Sequence, residues 1–310
     1  MRPWMEIEWW PHVRERRVDG RTVRYADYGE GPAIVLVHGL GGAWTTWLEN
    51  IQALGEQHRV IAIDLPGFGG SDPLPPPADM RTHADVVAAL LEALGVRDAV
   101  VAGHSMGGLV VMRLAVERPD LVARLVLVNA GGIPLDAARL AMITGSFRVF
   151  HKLLGRRSVL EGMARRARLR RLMVWPMVKN PGGMSGPFAL ETIPLAAAPG
   201  FVGALSSAAR AVADVRPQDV RCPVLLLWGR EDRILPLVGA RDLLERLPDG
   251  RIEVLSGAGH CPMFEVPEAF NRALLAFADA GAPARALRND RSLAVELLQP
   301  MSVYLHAGNL

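Results

Sequence analysis

Five short segments of the chain are apolar at nearly every position: Ala33–His38 (AIVLVH), Arg59–Asp64, Ala99–Ala102, Leu125–Asn129 and Val224–Trp228 (VLLLW). They do not alternate with polar residues. Continuous runs of this length predict strands covered on both faces, as in a parallel sheet. Arg251–Leu255 (RIEVL) is a sixth, more mixed strand. Between the runs the spacing changes to three and four. Val86, Val87, Leu90, Leu91 and Leu94 predict a helix over Thr82–Gly95, which Gly95 stops. A second helix is expected from about Ser105 to Glu117, ahead of Pro119, and a last one from about Pro267 to Ala280. Alternating strands and helices predict an α/β fold, a mostly parallel sheet with helices on both faces. Sites in such sheets gather at the carboxyl ends of the strands.

From about Gly131 to Pro217 no strand signal occurs and helical patterns dominate. The chain is therefore expected to comprise an N-terminal extension (1–19), a first core part (20–132), a helical insertion (133–217), a second core part (218–280) and a tail (281–310). In the tail, Leu293–Leu298 could form one helical turn before Pro300, and no role attaches to the segment. No internal repeat is present, and the one low-complexity patch is the loop DPLPPPAD, Asp72 to Asp79.

Composition narrows the classes. With 310 residues, half of them hydrophobic, the chain can bury a large core. A net charge of +3 argues against a nucleic-acid partner. Cys222 and Cys261 make no disulfide framework or CxxC pair, and no histidines have metal-ligand spacing, so no metal is expected. Glu6 and Glu8 interrupt the region where a signal peptide needs its apolar core, and no apolar run approaches a membrane span. A soluble, cytoplasmic protein is the expectation.

The candidate chemistry centres on VVAGHSMGGLVV, Val100 to Val111. A strand, then Gly103-His104-Ser105-Met106-Gly107, then a helix make a G-x-S-x-G turn. Such a turn is sharp, and it lifts the serine hydroxyl above the sheet edge. The helix behind it offers N–H groups and a positive dipole end to a developing oxyanion. A serine needs a base. Downstream, His260 follows the last strand signal, and the acids Glu231 and Asp232 follow VLLLW. His260 would take the Ser105 proton, and the acid would fix the histidine tautomer. His104 neighbours Ser105 but faces away in such a turn, and His38 and His151 are other candidates. The N–H of Met106 is the first expected oxyanion donor. The loop VHGLGG supplies Leu40 as the second, with Gly41 behind it. That loop is not a dinucleotide fingerprint, because Trp44 stands where the third glycine of G-x-G-x-x-G belongs.

VLVHGLGG, DLPGFGGSD, GHSMGG, WGREDRILP and GAGHCPMFEVPEAFN occur in this order, and over roughly residues 20–280 the chain resembles α/β-hydrolase-fold enzymes. The resemblance implies about eight strands, an all-helical lid inserted after the sixth, and no cofactor. It implies a triad of Ser105, Asp232 and His260, with Asp232 preferred to Glu231 by its place in W-G-x-x-D. Similar haloalkane dehalogenases and epoxide hydrolases carry aspartate in the elbow, so Ser105 points to acyl chemistry: carboxylic esters, lactones, thioesters or acylglycerols. Hydrolases of dienoic ring-fission products also use serine. Their loop is usually HGSGPG-like, often with Asn before the serine, whereas this chain has HGLGGA and His104. A carboxylesterase or lipase-like enzyme acting on medium acyl chains is the leading expectation. Carbon–carbon bond hydrolysis and a ligand receptor keeping the fold are the alternatives.

Gly39, Gly41, Trp44, His104, Phe147, Leu235 and Met263 are expected around the substrate. Trp4, Trp9 and Trp10 read as a structural clamp. Ser146–Lys179 holds ten Arg/Lys and one acid, Glu161, about +9, which leaves about −6 elsewhere. The plain reading is a pair of amphipathic lid helices with a solvated basic face. The sharper one is a surface that meets anionic lipid or steers acidic substrates. The oligomeric state is left open.

Overall fold

The computed structural model describes residues 2–75, 79–133, 136–214 and 216–280. The tail 281–310, with its expected helical turn, and residues 76–78 of the proline-rich loop lie outside them. The chain divides into two units, 1–278 and 279–310, and the elements below belong to the first.

Eight strands form one sheet: β1 (Val13–Val18), β2 (Arg21–Tyr28), β3 (Ala33–Val37), β4 (Arg59–Ile63), β5 (Ala99–His104), β6 (Val122–Val128), β7 (Val224–Gly229) and β8 (Gly250–Leu255). Their order is β1-β2-β4-β3-β5-β6-β7-β8. Pairing is parallel from β4 to β8 and antiparallel for β1 with β2 and β2 with β4. Helices α1 (Leu48–Leu54), α2 (Met80–Ala93) and α3 (Met106–Glu117) precede β6. Among the described residues between β6 and β7 the regular elements are all helical: α4 (Ala137–Leu154), α5 (Arg157–Arg165), α6 (Ala167–Val174), α7 (Gly186–Thr192), α8 (Phe201–Ala211) and short 3-10 turns. After β7 come α9 (Leu237–Glu245), α10 (Pro262–Glu265) and α11 (Pro267–Ala278).

The continuous apolar runs have a direct cause. Successive strand side chains point to opposite faces, and here both faces are covered. Val35 and Val37 of β3 join a core with Val87 and Leu91 of α2 and Val110 of α3. Ile34 and Leu36 turn to the other side, against Ile51 of α1 and Phe270 and Leu274 of α11. The insertion contributes to both layers, α8 through Ala204 and Ala211 and α5 through Leu160 and Ala164.

The sheet begins earlier than expected. Val13–Val18 lies inside the segment read as an extension, yet it is β1. It sits at the sheet edge with only Val18 buried, so VRERRV shows no hydrophobic pattern. Across the β1–β2 pair Glu15 stands opposite Arg24, and the two form an ion pair of 2.7 Å. Ahead of β1, Trp4 is buried, donates from its indole N–H to Glu49 and packs edge-on against Phe188. Trp9 lies against Trp44, whereas Trp10 is 78% exposed and takes no part in a clamp.

Candidate active site

At the carboxyl end of β5 the chain turns at Ser105, whose φ is +52° and ψ −117°. A non-glycine residue in this region is strained and persists only where its surroundings enforce it. Here the Ser105 N–H donates to the Val128 carbonyl, and the Ser105 carbonyl accepts from Gly108 and Gly131. Gly103 and Gly107 allow the helix to fold back. A Cβ on Gly107 would lie 2.5 Å from the His38 oxygen and 2.6 Å from the Val37 oxygen. Those are backbone atoms of β3 and its loop and cannot step aside. Gly107→Ala is therefore expected to cost about 1–3 kcal/mol, read as a fall in Tm. An unchanged Tm would show that the elbow has room.

Three side chains from three loops meet at this turn. His260 Nε2 is 3.0 Å from Ser105 Oγ. His260 Nδ1 is 2.8 Å from Asp232 Oδ2. The carboxylate sits in a cage of donors: Asn129 Nδ2 at 2.6 Å on Oδ2, and the N–H groups of Ile234 and Leu235 at 2.8 and 3.0 Å on Oδ1. Burial alone would raise the Asp232 pKa, but His260, Asn129 and the Leu235 N–H hold it below the usual carboxylate value. Glu231 points elsewhere and accepts from the Gly257 N–H.

Two supporting residues carry no sequence pattern of their own. Asn129, at the end of β6 with φ +40°, is fully buried and bridges the Gly229 N–H to Asp232. Glu265 brackets His260: its Oε1 accepts from the N–H groups of Gly259 and Cys261 at 2.9 and 3.1 Å. Glu265 Oε2 accepts from the Lys179 N–H, 2.5 Å away in the insertion. The His260 N–H donates to the Met177 carbonyl at 2.7 Å, and Arg233 donates to the Trp175 carbonyl at 2.7 Å. A strap of the insertion, 175–179, is thus tied to the loops that carry the acid and the histidine.

The loop after β3 is held from below. His38 Nδ1 donates to the Gly39 carbonyl and Nε2 accepts from the Leu65 N–H, which fixes a neutral tautomer. Asp64 accepts from the N–H groups of Trp44 and Gly70. Neither the Leu40 nor the Met106 N–H donates a hydrogen bond among the described residues. Both residues line one cavity with Ser105 and His260.

That cavity, about 110 Å³, is walled mainly by Leu109, Ile133, Leu140, Ile143, Phe147, Leu205, Ile234 and Leu235. Of the residues expected around the substrate, Phe147, Leu235 and His104 line it, while Gly39, Gly41, Trp44 and Met263 do not. A Cβ on Gly39 would meet His104 and Ser105, so Gly39 is a packing position beneath the elbow. Gly41 has φ +70° and fits under the Phe201 ring. Trp44 turns its ring to Trp9. Met263 is fully buried because α10 directs it into the second core layer. The α8 wall of Leu205, Ala208 and Ala209 went unforeseen in the sequence. His104 donates from Nε2 to the His260 carbonyl and so holds the histidine's backbone. Both cysteines are free, and burial raises both thiols, Cys222 to about 11.

Burial depresses His38 and His83 to about 4 and His104 to about 3. Each is neutral in the folded chain and regains its ordinary affinity for a proton on unfolding. Their stabilisation is present above about pH 6.5 and is lost as pH falls toward their folded values. Asp64, raised by burial to about 6, acts in the opposite sense, its contribution being lost as pH rises through that value. Glu265, also raised by burial, opposes the histidines in the same way. The three histidines outweigh these carboxyls, so the urea midpoint is expected to be lower at pH 5 than at pH 7.5. A midpoint that rises on acidification would contradict the buried neutral assignment.

A family model described as alpha/beta hydrolase fold matches residues 32–267. An uncharacterized protein of Mycobacterium tuberculosis is 31% identical over 296 residues, covering 88% of this chain and 83% of that protein. A 2-hydroxy-6-oxononadienedioate/2-hydroxy-6-oxononatrienedioate hydrolase of a Pseudomonas species is 28% identical over 278 residues, covering 86% and 94%. Among solved structures, a thermophilic esterase from Thermogutta terrifontis superposes with a TM-score of 0.66 at 25% identity, covering 86% of this chain and 97% of that one.

Proposed function

Because the chain belongs to the α/β-hydrolase-fold family, we propose that it is a serine hydrolase that cleaves carboxylic esters through an acyl-enzyme. The observation that carries this reading is the unbroken hydrogen-bond chain Ser105 Oγ–His260 Nε2–His260 Nδ1–Asp232 at the mouth of an apolar cavity.

The steps follow from the geometry. Ser105 Oγ attacks the ester carbonyl while His260 Nε2 takes its proton. Asp232 keeps the other imidazole nitrogen protonated and balances the imidazolium charge. The carbonyl oxygen, now an anion, is received by the unengaged N–H groups of Leu40 and Met106. Collapse expels the alcohol, which leaves with the proton from His260. Water, deprotonated by His260, then attacks the acyl-enzyme and frees the acid and Ser105.

The acyl group occupies the cavity beneath α4 and α8, and the helical insertion serves as its lid. At about 110 Å³ the cavity is well below the roughly 300–1,000 Å³ of sites for drug-sized ligands. Short to medium acyl chains fit best, with longer ones requiring α4 or α8 to move. The Pseudomonas relative makes carbon–carbon hydrolysis the competing reading. Its named substrates are dicarboxylates, and among the described residues no Arg or Lys lines this cavity to receive a carboxylate.

A substrate panel separates the readings. p-Nitrophenyl esters of increasing chain length are expected to be turned over, with kcat/KM highest for short and medium chains. Dienoates turned over faster than every ester would replace the ester reading with carbon–carbon hydrolysis. Tight retention of the acid without turnover would indicate a receptor.

A further inference from the structure

We propose that the outer face of α6 and the turn that follows it dock this protein on an anionic lipid bilayer. The apolar side chains that this face exposes are large: Leu172 is 71% exposed, Trp175 56% and Leu169 38%. They follow one another at helical spacing, so they share a stripe. Arg165, Arg168 and Arg171 are exposed along the same short helix and its entry. Leu172, Trp175 and Arg171 also border one open groove, together with Asn180 and Pro181.

The charge is unbalanced locally. The only acid within Ser146–Lys179 is Glu161, and it pairs with Arg157. Arg165, Arg168 and Arg171 have no ion-pair partner among the described residues. A protein surface that merely needed solubility would not place a tryptophan and two leucines amid unpaired arginines. An anionic interface suits both components: the rings and methyls enter the headgroup boundary, and the guanidinium groups stay with the lipid phosphates. The Trp175 ring is held in place from beneath, its centroid 4.8 Å from the Arg233 guanidinium carbon. Among the described residues no single helix is long and apolar enough to cross a membrane.

Sedimentation with sucrose-loaded vesicles tests this. The full chain is expected to bind phosphatidylcholine vesicles containing phosphatidylglycerol at low salt, and to bind pure phosphatidylcholine vesicles much more weakly. Arg168→Glu/Arg171→Glu should lower the partition coefficient by about 25-fold or more, at roughly fivefold per basic residue lost. Leu172→Ser should lower it by about tenfold. All these side chains are exposed, so Tm should match that of the parent and certify the fold. Absence of binding to the anionic vesicles overturns the proposal, and so does equal binding by parent and variants. A dimer in sedimentation velocity that Leu172→Ser dissolves, without vesicle binding, would assign the face to a second copy of the chain instead.

Discussion

Ser105→Ala is expected to lower kcat/KM for a p-nitrophenyl ester by roughly 10⁴-fold or more, with Tm nearly unchanged. In the proposed mechanism the hydroxyl oxygen is the atom that forms the new bond. The rest of the site survives the change. The backbone at position 105 is fixed by hydrogen bonds from its own N–H and to its own carbonyl, which alanine keeps. The N–H groups of Leu40 and Met106 and the cavity walls also remain. The residual rate should therefore reflect binding and oxyanion stabilisation alone, and the rapid first release of p-nitrophenol should vanish. A loss of less than tenfold would mean that Ser105 is not the nucleophile, and the ester mechanism would fall with it.

Asp232→Asn is the second large effect: roughly 10³–10⁴-fold in kcat/KM, together with a lower Tm. Four donors surround the Asp232 carboxylate: His260 Nδ1–H, Asn129 Nδ2 and the N–H groups of Ile234 and Leu235. An amide has only one acceptor oxygen. If its NH₂ faces Ile234 and Leu235, the buried Leu235 N–H and the part-buried Ile234 N–H lose their partner. If it faces His260, the imidazole must accept at Nδ1 and carry its proton on Nε2, where it can no longer take the serine proton. The NH₂ would then also oppose Asn129. Either orientation costs about 1–3 kcal/mol for each stranded donor. Steady-state kinetics and thermal unfolding on the same preparation check both parts. Near-normal activity would show that the tautomer is set by some other group.

What the sequence revealed and what it concealed divide along physical lines. Strands buried on both faces are apolar throughout, and β3 to β7 were legible for that reason. β1 was not, because an edge strand with one buried residue has no pattern to read. Ser105, Asp232 and His260 stood out because each follows a strand within a recognisable string. Asn129 and Glu265 did not, since a lone polar residue at a strand end or in a helical turn looks the same whether it is solvated or bridges three groups. Proximity in sequence also misled. Trp44 and Met263 lie within a few residues of the oxyanion loop and of His260, yet the backbone turns them into other contacts. The cavity wall on α8 is formed by residues about a hundred positions from Ser105, and only the folded chain brings them there.

The strap at 175–179 limits how this α/β-hydrolase fold could be re-engineered. Substrate range in such a scaffold invites a chimera in which the whole segment between β6 and β7 is exchanged for another. Here that graft would also remove the carbonyl of Met177 that receives the His260 N–H, and the Lys179 N–H that occupies Glu265. The donor segment would have to present the same two backbone groups in the same register. Cutting the exchange at residue 174 and keeping the native strap is the safer seam, because it leaves the supports of His260 with the core.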